Sequence, residues 1–543
     1  MVRRAYGDQA DQPHAWDYID ADSRVSSLNM KVSFFKFFSR VVRAAPADDV
    51  KAQRSVIART ATGTGWILGW RFATRFIGLG STLVLVRLLT PGDFGMVSLA
   101  AGLIQGLDAV AGFGTEGAII RIATPGRDIY DAGFTINVVR GVLTAFVMAL
   151  AAIPIARFFS NPDLVLVIWV LAAGWAVNAF TNIGMVEYRR LLAFDMEFKI
   201  KIIPRLLALA ITIPVAFVWH SYWALIAGIV FNQVITVVLS YLLHPYRPRF
   251  GVAGMRQIFG FSFWEWVIGL TGLVGGRADT IIIGRLLGTA SVGVYGIGGE
   301  IASLPSTEIV APLCRVLFSG FVEEERHGKD GSSTLLRVLA LLAMITIPMN
   351  VGLSVMAYPI VKLCFGPEWL DAVPLIQLLG LAGSFSLFNA VGEALFSARG
   401  WLKTILWLVV VTTITRLVLL LLLIPRFGLF GGAMAAALIS IMQEIIYVMT
   451  SLRRLNISLR QVLRSIMRPV LAVTFMAAVL AVTRLGWIDH DDGNAALWID
   501  LFSGAALGAI VYVLSVIGLW LAAGRPNSAE TDALAAARRL LAR

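Results

Sequence analysis

The sequence predicts an all-α polytopic membrane protein of about 14 transmembrane helices, and three observations predict it. Hydrophobic residues make up 58% of the 543 and charged residues 15%, with a mean hydropathy of +0.78. A soluble chain carries roughly a quarter charged residues. Many apolar runs reach the length, roughly 18 residues, needed to cross about 30 Å of hydrocarbon. The connections between runs alternate between arginine-rich and neutral or acidic, as loops on the two sides of a membrane do.

The elements follow in chain order. Residues 1–63 form a polar N-terminal tail with no apolar core of a secretory signal. Within it, "KVSFFKFFSRVVR" (Lys31–Arg43) gathers Phe34, Phe35, Phe38, Val41 and Val42 on one helical face. Two readings fit: a helix lying on an anionic membrane surface, or a disordered tail ahead of a start at Met30. Spans are expected near 64–89, 94–115, 131–156, 164–184, 202–219 and 222–243, then 259–286, 291–316, 335–358, 372–396, 404–424 and 428–450. Two more lie near 467–484 and 496–522, before a basic tail over 523–543. These divide into an N-lobe (64–243), a C-lobe (259–450) and an appended pair (467–522).

Loop charge sets the orientation. One set of connections carries Arg189, Arg190, Lys199, Lys201, Arg247, Arg249, Arg256, Arg399, Lys403, Arg453, Arg454, Arg460, Arg464 and Arg468. The other includes "HSYW" (His220–Trp223) and the acidic "DHDD" (Asp489–Asp492). The first set is expected to be cytoplasmic, which puts both termini there. The formal net charge of +12 is then accounted for by loops, with no nucleic-acid partner required. The two cysteines, Cys314 and Cys364, fall toward opposite membrane faces and show no zinc-type spacing.

A short module occurs twice. "STLVLVRLLTPGDFG" (Ser81–Gly95) aligns without gaps on "DTIIIGRLLGTASVG" (Asp279–Gly293), 198 residues later, with Arg87 on Arg285 and Gly95 on Gly293. Six spans separate the copies, so both point the same way: a parallel repeat of two six-helix lobes about an axis along the membrane normal. The paired arginines have two readings: guanidiniums snorkelling to the outer headgroups, or parts of an outer gate.

The chain resembles the Wzx-type polysaccharide transporter family of the multidrug/oligosaccharidyl-lipid/polysaccharide exporter superfamily. The resemblance rests on "VRLLTPGDFGMVSLA" (Val86–Ala100), "VEYRRLLAFDMEFK" (Val186–Lys199) and Asp279–Phe318, and covers roughly residues 64–485. The family's R-L-L-x-P-x-x-F-G signature is met by Arg87, Leu88, Leu89, Pro91, Phe94 and Gly95. The long N-terminal tail departs from the family's usual short one. The resemblance implies a flippase that moves an undecaprenyl-pyrophosphate-linked oligosaccharide across the bacterial inner membrane by alternating access. It implies as partners the lipid-linked oligosaccharide, the bilayer, and a polysaccharide polymerase with its chain-length regulator. The rival readings are a multidrug or cation antiporter and a peptidoglycan lipid-precursor flippase of the same superfamily. A membrane polysaccharide polymerase would need a large external loop, and the longest expected here is about a dozen residues.

Charges inside spans cost about 2.5–3.5 kcal/mol each at a helix centre, so each needs a reason. The basic candidates are Arg71, Arg75, Arg140, Arg277 and Arg416. As cavity contacts they would offset the lost hydration of a pyrophosphate and grip it in bidentate fashion. The alternative is snorkelling, or buried ion pairs that fix helix packing. The acidic candidates for coupling or gating are Asp108, Glu265, Asp279 and Glu300. A carboxylate there either exchanges protons or serves as a fixed partner for an arginine. Arg277 and Asp279 sit two apart, about 200° around a helix, and so need separate partners. The expectation for them is an anion contact at Arg277 and, at Asp279, either a pair that holds the outer gate or an interfacial anchor. Glu116, Glu308, Glu393 and Glu444 lie nearer the inner ends and read as caps or interfacial groups. Trp66, Trp70, Trp264 and Trp266 read first as interfacial belt residues, with stacking on sugar faces as the alternative. "DAD" (Asp20–Asp22) and "DHD" (Asp489–Asp491) are only superficially metal-like. No GxxxxGK[ST] phosphate loop is present, so ATP is not the direct fuel. No enzymatic signal, cofactor or metal site is expected.

Overall fold

The computed structural model describes residues 74–531 except 112–114, 123, 192–193, 257, 259–275, 311–313, 315–331, 486–492 and 527–528. The tail helix expected over Lys31–Arg43 and the four expected belt tryptophans lie outside the described residues.

Helix α1 (residues 74–88) leads through a tight turn into α2 (Pro91–Val110). A short α3 (Thr115–Arg121) precedes the long α4 (Arg127–Phe158). Helix α5 (Leu164–Asn178) stops earlier than its apolar run and bends by 67° into Ile183–Arg190, whose last five residues form α6 (Val186–Arg190). Polar groups cause the stop. Asn182 accepts from the Gly184 N–H at 2.9 Å and donates to the Tyr246 carbonyl at 2.7 Å, which satisfies backbone groups that a helix would otherwise pair. Helices α7 (Phe194–Trp219) and α8 (Trp223–Leu243) complete the N-lobe.

The C-lobe repeats the pattern with α9 (residues 276–287), α10 (Thr289–Ala302), α11 (Ser332–Val355) and α12 (Ala357–Ile360). Helix α13 (Ala372–Gly383) meets α14 (Ser386–Ala398) at a 46° bend. Helix α15 (Leu402–Leu455) is two antiparallel arms, broken at Gly428 by φ 57° and ψ −138°, a conformation that side chains with a Cβ rarely adopt. Glycine there lets the arms close up: a Cβ on Gly431 would sit 2.3 Å from the Leu423 carbonyl oxygen. Helices α16 (Leu459–Val482) and α17 (Asn494–Ala522) follow.

Among the described residues there is no strand, and eight helices are long and apolar enough to cross a membrane, counting α15 as one. Large apolar side chains face outward along them: Phe146 is 60% exposed, Leu242 75% and Phe475 58%. A solvent-facing surface of that kind belongs in lipid. The protein is a multi-pass α-helical membrane protein.

The repeated module explains how the lobes meet. Thr90 caps α2, accepting from the Asp93 N–H while Asp93 accepts from the Thr90 N–H, and Pro91 fills the first turn. Asp93 also accepts from the Tyr222 N–H at 2.9 Å, pinning the α7–α8 turn beside it. A Cβ on Gly95 would stand 1.7 Å from the Thr289 carbonyl oxygen, and one on Gly293 would stand 2.0 Å from the Pro91 carbonyl oxygen. The two glycines are equivalent positions of the repeat, and each lies on the other copy's first turn. A reciprocal contact of this kind is what a twofold relation between the copies produces. Below it, an apolar cluster mixes Leu99, Ile104, Ile168 and Leu171 of the N-lobe with Ile283, Val292 and Leu420 of the C-lobe.

Candidate functional site

The arginines of the module work at this junction. Arg87 donates from Nε to the Cys364 carbonyl at 3.0 Å and from Nη2 to the Leu363 carbonyl. Those carbonyls end a π-type turn, Val361–Phe365, that runs on from α12. Such chain-end acceptors lack helical partners, and a guanidinium satisfies two at once. Trp369, 1% exposed, donates to the Val86 carbonyl at 3.2 Å and meets Phe94 edge-on at 5.5 Å. Arg285 mirrors Arg87 by reaching into the other lobe, with its guanidinium 5.4 Å from the Phe158 ring at the end of α4. Both arginines therefore join the lobes, rather than only snorkelling.

Deeper in, charges of the two lobes meet. Arg75 on α1 pairs with Glu300 on α10 at 3.2 Å and with Glu308 at 3.1 Å, in the segment Ser306–Val310. Arg205 on α7 lies within electrostatic reach of both Glu300 and Arg75. Gly78 makes room for it, since a Cβ there would stand 2.5 Å from Arg205 Nη2. Counted at 1.5 Å per residue from the helix ends nearest the Gly95–Gly293 contact, Arg75, Glu300 and Arg205 lie at depths of roughly 17–21 Å, near the middle of a ~30 Å slab. Sequence reasoning missed Arg205. The span was expected to begin at 202, after Lys199 and Lys201, which made position 205 interfacial. Helix α7 begins at Phe194, and that puts Arg205 in the middle of the span.

Arg277 and Asp279 part, as their spacing requires. Arg277 on α9 donates to the Gln105 side chain of α2 at 3.0 Å, over Gly102, and so faces the N-lobe. Asp279 turns into the C-lobe. It accepts from Arg416 Nε at 2.8 Å and from Arg416 Nη2, and from the Tyr295 hydroxyl at 2.7 Å. Asp279 is 5% exposed. All three groups belong to one lobe, so this pair fixes α9, α10 and α15 together and spans no gap between lobes. Arg416 is likewise occupied by a carboxylate here. Glu444 is buried with the Asn389 N–H on its carboxylate at 2.5 Å. Arg71 and Glu265 lie outside the described residues.

Inside the N-lobe, Arg140 faces Asp108 at 3.4 Å, and Arg189 joins Glu116 to Glu197 at 2.5 and 2.8 Å. These groups line an open cavity of about 690 Å³ between helices of the N-lobe, with Arg205 also on its wall. At the basic end of the lobe His244 is packed on Gly184 and accepts from the Tyr246 N–H at 3.1 Å. Burial, and then the nearby Arg247, hold its imidazole down at about 4.

Among the described residues no group of His, Cys, Asp and Glu is arranged to hold a metal. Two helical lobes that close on a reciprocal glycine contact and share arginine–carboxylate pairs at mid-depth define a two-lobed membrane transporter. The chain belongs to the family described as "Polysaccharide biosynthesis protein", whose model matches residues 84–374. It is similar to the Lipopolysaccharide biosynthesis protein WzxC of Escherichia coli (strain K12), 24% identical over 352 residues, which are 63% of this chain and 71% of that one. It is also similar to the Succinoglycan biosynthesis transport protein ExoT of Rhizobium meliloti (strain 1021), 21% identical over 85% of this chain and 94% of the relative. In fold it resembles the lipid II flippase MurJ in an inward closed conformation, with a TM-score of 0.68 at 13% identity, covering 84% of this chain and 99% of that one. An inward-facing multidrug resistance MATE family transporter shares the fold at a TM-score of 0.55 and 16% identity, over 70% of this chain and 94% of that one.

Proposed function

We propose that the protein is a flippase carrying an undecaprenyl-pyrophosphate-linked oligosaccharide, a repeat unit of an exopolysaccharide or O-antigen, across the bacterial inner membrane. In this reading its arginine-rich connections and both termini are cytoplasmic, and a polymerase and chain-length regulator take up the product outside. The observation that carries the reading is the mid-depth Arg75, paired with Glu300 and Glu308 of the opposite lobe, with Arg205 beside it over Gly78. At this mid-depth site the two carboxylates, Glu300 and Glu308, already hold an arginine, so neither is open to a cation.

The mechanism follows from competition for one guanidinium. With no substrate, Glu300 and Glu308 of the C-lobe occupy Arg75 of the N-lobe and tie the lobes at mid-depth. A pyrophosphate offers more acceptor oxygens in the bidentate geometry that arginine favours. When it takes Arg75, with Arg205 at its other side, the two carboxylates lose their partner. In a low-dielectric site they then favour protonation or a change of position. Binding thereby releases a tie between lobes, which is how a ligand biases a two-state equilibrium. Arg277, held by a neutral glutamine, is available as a further anion contact. Arg71 and Arg140 complete the basic set proposed to line the path. Asp108, Glu265, Asp279 and Glu300 are its proposed coupling or structural carboxylates.

The test is export in cells. Arg75→Ala should abolish surface polysaccharide at near-normal protein abundance. Arg75→Lys should restore it only partly, because it keeps the charge and loses the planar fork. Full export by Arg75→Ala would remove the residue from the substrate path.

A further inference from the structure

The N-lobe cavity is not explained by a pyrophosphate site. Its volume, about 690 Å³, lies in the ordinary range of small-molecule sites and far exceeds a phosphate pair. Its wall is rich in neutral planar polar residues, Asn137, Asn178, Asn232 and Gln233, together with Thr236 and Trp175, the last also packed against the apolar core. It carries four basic and three acidic side chains, and all three carboxylates sit against arginines. That balance suits neither a metal cation nor a second anion. Arg140 Nε and Asp108 Oδ1 face each other at 3.4 Å, and Gln233 Oε1 is buried beside Gly174 without a hydrogen-bond partner. Gln233 is 9% exposed. A small shift of the Gln233 amide, or of the helix it rests on, would let it bond a ligand and recover the roughly 1–3 kcal/mol that a buried unpaired polar atom costs. What fits is a neutral ligand bristling with hydroxyls, each both donor and acceptor, with an apolar face for an indole. That is the chemistry of a sugar.

Position agrees with composition. Arg205 lies on the cavity wall and is also within reach of Arg75 and Glu300. A lipid pyrophosphate held between Arg75 and Arg205 would have its first sugars at the cavity's threshold. We infer that the interior of the N-lobe seats the sugars nearest the pyrophosphate, with Gln233, Asn178 and Asn232 as hydrogen-bonding groups and Trp175 as the stacking face. This rests on the flippase reading and names the part of the protein that recognises the glycan.

The experiment measures binding to the full-length protein in nanodiscs, using four probes: bare undecaprenyl pyrophosphate, and its glucosyl, galactosyl and N-acetylglucosaminyl derivatives. At least one sugar-bearing probe should bind about tenfold or more tightly than the bare lipid. Gln233→Leu, which keeps size and removes the amide, should erase that sugar increment and leave the affinity for bare lipid within twofold. Asn232→Leu is the second variant, so that the result does not hang on one variant's folding. Arg75→Ala should weaken all four probes alike. Equal affinity of the unmodified protein for all four would make the cavity a water-filled vestibule and overturn the inference, with the flippase reading intact. A sugar increment that survives both Leu variants would overturn it too. No binding of any probe would overturn the flippase reading and this inference with it.

Discussion

The two lobes share a repeated module and differ in what fills them. Helices of the N-lobe line an open cavity of about 690 Å³, whereas among the described residues of the C-lobe a pocket between Leu335, Leu339, Phe388 and Val462 measures about 20 Å³. Facing the N-lobe interior are Asn137, Arg140, Asn178 and Gln233. The C-lobe packs Leu335, Leu339, Leu342, Val391, Leu395 and Tyr447 into one cluster that extends into α16 and α17. In the C-lobe Asp279 is saturated by Arg416 and Tyr295, and Glu444 accepts from the Asn389 N–H. The N-lobe instead places its Arg140–Asp108 and Arg189–Glu116/Glu197 pairs on a cavity wall. Among the described residues, the C-lobe is packed with apolar side chains where the N-lobe is hollow.

The sharpest way to break this contrast is to cut one ion pair in each lobe. Asp279→Ala removes the carboxylate shared by two guanidinium nitrogens of Arg416 and the Tyr295 hydroxyl, which costs about 1.5–3 kcal/mol. The variant should show a large fall in thermal stability in detergent. Asp108→Asn, which weakens a single contact with Arg140 at 3.4 Å, should cost less, about 1 kcal/mol. Comparable losses for the two would mean that a pair on the cavity wall holds as firmly as one in the packed lobe.

A second test uses the symmetry instead of the difference. Gly95→Ala and Gly293→Ala each drive a methyl into backbone of the opposite lobe, where no flexible side chain can yield. Both should loosen the junction alike. In a background lacking Cys314 and Cys364, a cysteine at Ser81 should react several-fold faster with an impermeant reagent added outside cells. Gly296→Ala, with nothing within 4 Å of the added carbon, should change little. Faster labelling only from the cytoplasmic side would invert the proposed orientation. An effect of Gly95→Ala without one of Gly293→Ala would break the twofold relation.

The smallest effect is expected at the basic end of the N-lobe. His244 in the folded chain titrates at about 4, below the ordinary ~6.5 of an unfolded histidine. A depressed value means that the fold favours the neutral ring. Its contribution is present above pH ~6.5 and is lost as pH falls toward 4. Amide exchange over residues 182–190, corrected for intrinsic rate, should rise a few-fold between pH 7 and pH 5. Residues 450–458 of the C-lobe should not follow. A flat profile at 182–190 would mean that the imidazole is not confined there.

Much of this was legible without coordinates. Apolar run length dictated helices in lipid, because a spanning segment must satisfy its own backbone. The R-L-L-x-P-x-x-F-G signature named residues that each have a job at the junction: a guanidinium on chain-end carbonyls, a first-turn proline, an aromatic on Trp369, and a glycine where two helices touch. The helical angle between Arg277 and Asp279 foretold separate partners. What sequence could not supply was who those partners are. Arg75 meets Glu300 across 225 positions and Arg416 meets Asp279 across 137, and nothing local encodes such distances. Arg205 was hidden because hydropathy locates the apolar part of a helix, while the helix itself starts where its backbone bonds begin. The hollow in the N-lobe was hidden for a related reason. Asparagines, glutamine and threonines inside apolar runs barely alter run length or charge. Periodicity assigns residues to helices and to faces, but whether a face meets lipid, a packed neighbour or an open cavity depends on how six helices are arranged around it, and only the tertiary structure decides that.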